Sequence, residues 1–439
     1  MTTNLHSTLH LAPGGTLTGK LQVPGDKSIS HRALILGAIA EGESEVSGYQ
    51  EGEDTLATME ILGSLGVDIE KPGPQQAFIT GKGLHGLQAP KVALDCGNSG
   101  TSVRLLTGLL AGQEFDCELI GDKSLMKRPM LRVVEPLRKM GAEITTSEQG
   151  TLPIHIHGGR TLNGIEYTLP VASAQLKSCL ILAGIYAGGK TVIHEPEPTR
   201  DHTERMLLEF GYPLEKEETS ITVQGGKPLT ATRIVVPADL SSAAFFIVGA
   251  SIARGSDITL LNVGINPTRS AIIPLLQKMG ADITVHNERV VSGEPVADIR
   301  VRSSDLCGIE IPDDMVPIAI DELPVLMIAA ACAKGETLLR GAAELRVKES
   351  DRISAMVAGL ETLGVVVESF EDGMRVVGGR ITGGTIDSYG DHRIAMSFAM
   401  AALVAESDIN IRDCANINTS FPGFVESAIE AGMNIDLYS

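Results

Sequence analysis

Apolar positions along the chain recur in one order: a helical run spaced three and four apart, a glycine, then a short alternating run. It is legible in MEILGSLGVDIE, VEPLRKMGAEI, LLEFGYPLEKE, IIPLLQKMGADI, LETLGVVVE and IEAGMNID. The glycines are Gly66, Gly141, Gly211, Gly280, Gly364 and Gly432, spaced 68 to 84 residues apart. Glycine at that place supplies the left-handed residue that stops a helix, so each copy predicts a helix turning into a strand. A second marker runs in phase: a helix of small residues closing near Ala40, Ala111, Ala187, Ala253, Ala333 and Ala405, followed by strands such as KTVIHEP, SDITLLNV and ETLLRGA. Each unit therefore reads strand, helix, strand, helix, strand, and six such units predict a repeat protein of the α/β class.

Six units divide into three plus three. Two similar X-Pro segments, Val23 to Ser28 and Val236 to Ser241, each precede a helix and are read as paired crossovers. The expected lobes are residues 24–236, and residues 1–23 joined to 237–439. A chain of 439 residues has ample length for two cores. Aromatics are only 3% of it and Gly numbers 48, so those cores must be Ala, Leu, Ile and Val packed against glycine.

With 36 Lys and Arg against 55 Asp and Glu, the net charge of −19 argues against coating a nucleic acid. The six cysteines form no C-x-x-C pair, so a zinc cluster and a disulfide framework are both disfavoured, and the thiols are read as small buried hydrophobes. No membrane-length apolar run and no leader pattern in MTTNLHSTLHLAPGG are visible, so the expectation is a soluble, cytoplasmic protein without a membrane partner. GGTLTGKL, Gly14 to Leu21, imitates a phosphate loop but ends in Leu21 where Ser or Thr must reach a metal. No metal and no cofactor are expected.

The polar residues at the start of each small-residue helix carry the chemistry: Asp26-Lys27-Ser28 with Arg32, Asn98 to Thr101 with Arg104, Ser173-Ala174-Gln175, Asp239 with Ser241-Ser242, Asp321-Glu322, and Asp391-His392-Arg393. Helix N-termini bind phosphate and carboxylate. N-capping accounts for the Ser, Asp and Asn taken singly, but not for Lys27, Arg32, Gln175 or Arg393, since a cation at a first turn opposes the dipole unless an anion sits there. More cations recur where the other strand of a unit ends: Lys127 and Arg128, Arg200, Arg269, and Lys348 with Arg352. Cations in phase on an acidic chain point to polyanionic ligands. Asp321, read as beginning a helix, Glu349, between Lys348 and Arg352, and His392 are the acid–base candidates, with ion-bridged structural carboxylates as the alternative. His155, His157, His194 and His202 lack ligand spacing and are read as structural.

Taken together, VPGDKSISHRALILGAIAEGES, DCGNSGTSVRLL, GDKSLMKRPM, VASAQLKS, TRDHTE, LRVKESDR and DHRIAMS resemble the 5-enolpyruvylshikimate-3-phosphate (EPSP) synthase family, in wording close to its bacterial second class. The resemblance runs from Lys20 to about Pro422. It implies two lobes, each an inside-out α/β barrel of three repeats, closing over small-molecule substrates. It also implies transfer of enolpyruvyl from phosphoenolpyruvate to shikimate 3-phosphate with release of phosphate, in aromatic amino-acid biosynthesis. Carried over by motif, the shikimate 3-phosphate residues are Lys27, Ser28, Arg32, Ser173, Ala174, Gln175, Arg200, Asp321 and Lys348. Those for phosphoenolpyruvate are Lys27, Gly100, Arg128, Gln175, Arg352 and Arg393, and Asp321, Glu349 and Lys27 form the catalytic set. Further implications are inhibition by glyphosate and a monomeric state. Two departures stand out: Thr419 lies where the plant-like class has Lys, and Gly100 where tolerant members of the second class have Ala.

Two other readings stay open on the residues alone. The transferase acting on UDP-N-acetylglucosamine shares the fold and the phosphoenolpyruvate chemistry, but has K-N-A near the first helix and a reactive Cys in a loop. Here Asp26-Lys27-Ser28 stands at that helix, and Lys123 to Arg128 holds no Cys. A non-catalytic scaffold binding polyanions is the other, and the acidic charge and paired carboxylates speak against it.

Overall fold

Every glycine that the pattern marks as a helix stop is left-handed, with φ of +85° at Gly66, +105° at Gly141, +72° at Gly211, +97° at Gly280, +81° at Gly364 and +114° at Gly432. The structure is a computed structural model describing residues 7–438; the first six positions of the opening stretch, on which the leader expectation falls, lie outside the described residues. The second marker holds as closely. Ala40, Ala111, Ala187, Ala253 and Ala333 are the C-cap residues of helices Lys27–Ile39, Gly100–Leu110, Ala174–Tyr186, Leu240–Ile252 and Leu323–Cys332. Ala405 ends the short turn Ala402–Val404 that extends helix His392–Ala401.

The repeat differs from the expected five elements in one respect. Its final strand is an antiparallel pair, so a complete sheet has four strands. In one copy the order is Leu94–Asp95, Cys117–Ile120, Ile154–His157, Glu143–Thr145, with a parallel first pairing and antiparallel pairings after it. The pair arises because the β run after five of the six stop glycines folds back through a turn, as where Val366–Phe370 meets Gly373–Val377 across Glu371 and Asp372, whereas after Gly432 the strand Met433–Tyr438 takes Thr8–Gly15 as its partner. A strict alternation of polar and apolar residues does not announce such a turn.

The chain forms two units. One comprises Gly25–Val236 with Val290–Glu294, the other runs to Pro24 and resumes over Pro237–Arg289 and Pro295–Ser439. In the first unit, Arg233–Val235 returns to lie parallel beside Glu43–Ser47, completing the first repeat's sheet with the unit's last strand. In the second, Thr8–Gly15 is laid antiparallel between Ile409–Arg412 and Met433–Tyr438. Each unit has its own apolar core.

The capped helices are the buried ones. All 13 residues of Leu240–Ile252 are buried, as are 11 of Lys27–Ile39. Helices enclosed on all sides carry no polar stripe, and small residues let them approach closely. Gly108 shows how closely: a Cβ there would stand 2.2 Å from the carbonyl oxygen of Cys179 on the next capped helix. Of the cysteines, Cys96, Cys117, Cys179 and Cys414 are buried as read, whereas Cys307 is exposed, because it lies outside the helices in an irregular stretch. Gly14 to Leu21 covers the end of one strand and the whole of the next with no helix following, so it is not a phosphate loop. Among the described residues no single helix is long and apolar enough to cross a membrane, and no group of three His, Cys, Asp or Glu is placed to hold a metal.

Candidate active site

Five of the six capped helices begin with a side chain that accepts from its own first turn: Asp26 from Ile29 N, Ser99 from Ser102 N, Ser173 from Leu176 N, Asp239 from Ser241 N and Asp391 from Arg393 N. Capping thus accounts for those five residues. The sixth helix, Leu323–Cys332, has no side-chain cap, and Asp321 and Glu322 lie in a turn before it. Asp321 therefore does not begin a helix as expected; Leu323-Pro324 does, proline being suited to a first turn.

In the unit that contains Gly25–Val236, Lys27 points its Nζ at Asp54 Oδ2, 2.9 Å away. Arg32, one turn on, is buried and donates to Ser28 O at 2.9 Å, Thr203 Oγ1 at 2.7 Å and Ser178 Oγ at 2.8 Å. Its partners are all neutral. Burial, eased by the Coulomb field of Glu204 and Asp26 and reinforced by Arg200, pushes this guanidinium down to about 10. A buried guanidinium bound by neutral oxygens is electrostatically prepared for an anion. Arg200 is half-buried in the loop ahead of helix His202–Glu209.

A second group of the same unit gathers at the start of helix Gly100–Leu110. Arg104 donates to Gln175 Oε1 at 2.6 Å, and Gln175 Nε2 donates to Thr101 Oγ1 at 3.1 Å. Arg128 donates to Asn98 Oδ1 at 3.0 Å. A Cβ placed on Gly100 would lie 3.0 Å from the Nη1 atoms of both Arg104 and Arg128, so Gly100, Arg128 and Gln175 are brought together around Arg104. Ser173 and Ala174 stand at the helix start that presents Gln175.

In the unit that contains Pro295–Ser439, the carboxylate of Asp321 faces three cations, Arg352 at 3.4 Å, Lys348 at 3.5 Å and Arg393 at 3.8 Å. Glu349 Oε2 is 2.5 Å from Arg352 Nη2. Arg352 is enclosed and also donates its Nε to Asp391 Oδ2 at 2.8 Å. Burial opposes its charge, but Asp391 and Glu349 outweigh burial and hold the guanidinium above its ordinary range. Asp391 is fully buried; burial works against its charge, and Arg352 overcomes that to keep it below the usual carboxylate range. Arg393 Nη1 donates to the main-chain oxygen of Asp321 at 2.8 Å. His392, the third acid–base candidate, is buried at the start of its helix. The cluster thus joins fixed cations to two partly exposed carboxylates, at 15% and 24% side-chain exposure for Asp321 and Glu349. That combination can grip an anion and move a proton beside it.

Some residues fall elsewhere. Arg269 is held by Asp239 Oδ1 at 2.6 Å and Ser241 Oγ at 2.7 Å, so this phased cation braces a helix start. Thr419 is buried and donates to Asn416 O at 2.7 Å within its own turn. His202 pairs with Glu294 at 2.7 Å, and His194 with Glu166 at 2.9 Å. Sequence reasoning missed other polar contacts: Asp54 on Lys27, the buried set Lys177, Glu195 and Glu204, and the hydroxyl chain from His31 through Thr58 and Ser102 to Ser99. Helical spacing alone offers a hint for two of them, since His31 lies four residues after Lys27 and Thr58 four after Asp54.

Residues 11–428 match the EPSP synthase (3-phosphoshikimate 1-carboxyvinyltransferase) family. A 3-phosphoshikimate 1-carboxyvinyltransferase of Alkalilimnicola ehrlichii is 61% identical over 425 residues, covering 97% of this chain and 95% of that protein. The protein of the same name from Nitrosococcus oceani is 60% identical, covering 97% and 96%. An EPSP synthase structure from Acinetobacter baumannii superposes with a TM-score of 0.89 at 52% identity, covering 99% of this chain and 100% of that one. With the inside-out α/β fold, the clustered cations at the helix starts and these relatives in agreement, the chain belongs to the EPSP synthase family, transferases of the shikimate route to aromatic amino acids.

Proposed function

We propose that this chain transfers the enolpyruvyl group of phosphoenolpyruvate to the 5-hydroxyl of shikimate 3-phosphate and releases inorganic phosphate. The hydroxyl oxygen adds to C2 while C3 takes a proton; the tetrahedral adduct then loses phosphate from C2 and a proton from C3, restoring the double bond. Both steps need a proton acceptor and a donor near fixed positive charge. The observation that carries the reading is Asp321, a partly exposed carboxylate facing Lys348, Arg352 and Arg393, with Glu349 on the same Arg352. Asp321 and Glu349 are the proton carriers, and Lys27 supplies a movable charge.

Lys27, Ser28, Arg32, Ser173, Ala174, Gln175, Arg200, Asp321 and Lys348 are assigned to shikimate 3-phosphate. Lys27, Gly100, Arg128, Gln175, Arg352 and Arg393 are assigned to phosphoenolpyruvate. Arg32 supports the first assignment, because a buried guanidinium bound only by neutral oxygens gains most from a phosphate. Arg352 arrives already clamped by Asp391, which removes its ordering cost on binding. Glyphosate as a competitor of phosphoenolpyruvate, a monomeric state and a cytoplasmic setting complete the reading, and the motif resemblance supports them. Phosphate release on mixing the enzyme with both substrates tests the function. Release that needs both substrates is the expected result, and none with either alone.

A further inference from the structure

We propose that Arg104 is a positioning residue for the reaction, one that orients the amide of Gln175 without itself touching a substrate. The inference rests on the reading above that Gln175, Gly100 and Arg128 hold phosphoenolpyruvate. A side-chain amide has an oxygen that accepts and a nitrogen that donates, and the two ends are nearly equal in shape, so only its partners decide which way it faces. A guanidinium can only donate. Arg104 Nη1, 2.6 Å from Gln175, therefore demands the oxygen, and the nitrogen is turned to Thr101 Oγ1 at 3.1 Å. The bond is charge-assisted and joins side chains 71 residues apart, from two different capped helices. Take the guanidinium away and the amide can reverse, offering a lone pair where an anionic ligand needs an N–H.

The same side chain has a second effect. A point one carbon out from Gly100 is 3.0 Å from Arg104 Nη1 and 3.0 Å from Arg128 Nη1, so two cationic groups close over one helix start. Like charges that close repel, and an anion received there relieves the repulsion of both. Arg104 thus adds positive potential beside Arg128, while its Nη1 binds Gln175 Oε1 and lies 3.5 Å from the main-chain oxygen of Gly100.

The test is a double-mutant cycle in the phosphate-release assay with Arg104→Met, Gln175→Leu and the double variant, reading KM for phosphoenolpyruvate, kcat and thermal midpoint. Losing a hydrogen bond to a charged group corresponds to about a 10-fold or larger rise in KM for Arg104→Met. The double variant is expected to fall well short of the product of the two single effects, because the share of Arg104 that acts through the amide is already lost in Gln175→Leu. Arg104→Lys, which keeps a donor and the charge, is expected to regain most of the loss, and Arg104→Gln replaces Arg104→Met in the cycle should that variant not fold. Effects that multiply in the double variant, or an unaltered KM in Arg104→Met, overturn the proposal. A wild-type enzyme that releases no phosphate overturns the functional reading instead.

Discussion

Replacing Gly100 by Ala puts one methyl where two guanidinium groups already meet. The added Cβ would lie 3.0 Å from Arg104 Nη1 and 3.0 Å from Arg128 Nη1, closer than a carbon and a nitrogen rest without bonding, so each group has to give by a few tenths of an ångström. Gly100 is not among the residues with positive φ, and it begins a helix, so the backbone accepts Ala without strain. The thermal midpoint should therefore hold or rise slightly, and the effect should appear in ligand binding alone. Overpacking costs typically about 1–3 kcal/mol, and the lower end applies here because both neighbours are tips of long side chains. About 1 kcal/mol corresponds to roughly a fivefold rise in KM for phosphoenolpyruvate through displacement of Arg128. Glyphosate, longer than phosphoenolpyruvate, meets the methyl as well as the displaced arginine, so its inhibition constant should rise further, towards the upper end of the range at about 150-fold. The assay is steady-state phosphate release with phosphoenolpyruvate varied at several glyphosate concentrations, for wild type and variant side by side. Equal inhibition constants in the two enzymes would refute the steric argument, and a KM unchanged within about twofold would refute displacement of Arg128.

Asp321→Asn and Glu349→Gln should each lower kcat by roughly 100-fold or more with substrate binding within a few-fold, since the shape stays and the proton transfer goes; single-turnover rates check this, and near wild-type turnover in both would remove the acid–base assignment. Arg200→Ala should weaken shikimate 3-phosphate binding by about 10-fold, read by isothermal titration, and an unchanged dissociation constant would take Arg200 out of the site. His31 is held well below its ordinary value, first by burial and then by Lys27 and Arg32, so the folded state keeps it neutral where the unfolded chain takes up a proton. Its contribution to stability is whole above about pH 6.5 and is lost, by up to about 1.4 kcal/mol per pH unit, as pH falls below that; urea unfolding of His31→Asn should show a shallower loss by about one proton, and equal slopes would contradict it. Of the six thiols, Cys307 alone is exposed, while burial pushes Cys117, Cys179, Cys332 and Cys414 up to about 12. A thiol-specific reagent should find one fast group in the native protein, and Cys307→Ser should abolish it.

The repeat was legible because its markers are local. A left-handed stop at Gly66 or Gly432 and a close at Ala40 or Ala333 depend on a few neighbouring residues, and those rules act the same way six times. The antiparallel pair at the end of each unit was not legible, because a turn such as Glu371-Asp372 interrupts no apolar period. Among the candidate residues of the two units, Lys27, Arg128, Gln175, Arg352 and Arg393 stood out as cations or amides at helix starts and strand ends where capping gives no reason for them. What escaped was pairing across sequence: Asp54 with Lys27, Asp391 beneath Arg352, and Arg104 on Gln175 join residues 27, 39 and 71 positions apart. Arg269 shows the converse, a cation in phase with the others whose buried partner Asp239 uses it within the fold.

The central claim, transfer of the enolpyruvyl group by addition and elimination, is tested most directly by following the reaction by phosphorus and proton NMR in deuterium oxide. One inorganic phosphate should appear for each phosphoenolpyruvate lost, with the shikimate phosphate signal shifting in equal amount to an ether product that carries deuterium at its methylene carbon. Phosphate appearing without a change in the shikimate phosphate signal, or a product free of deuterium throughout, would contradict the account.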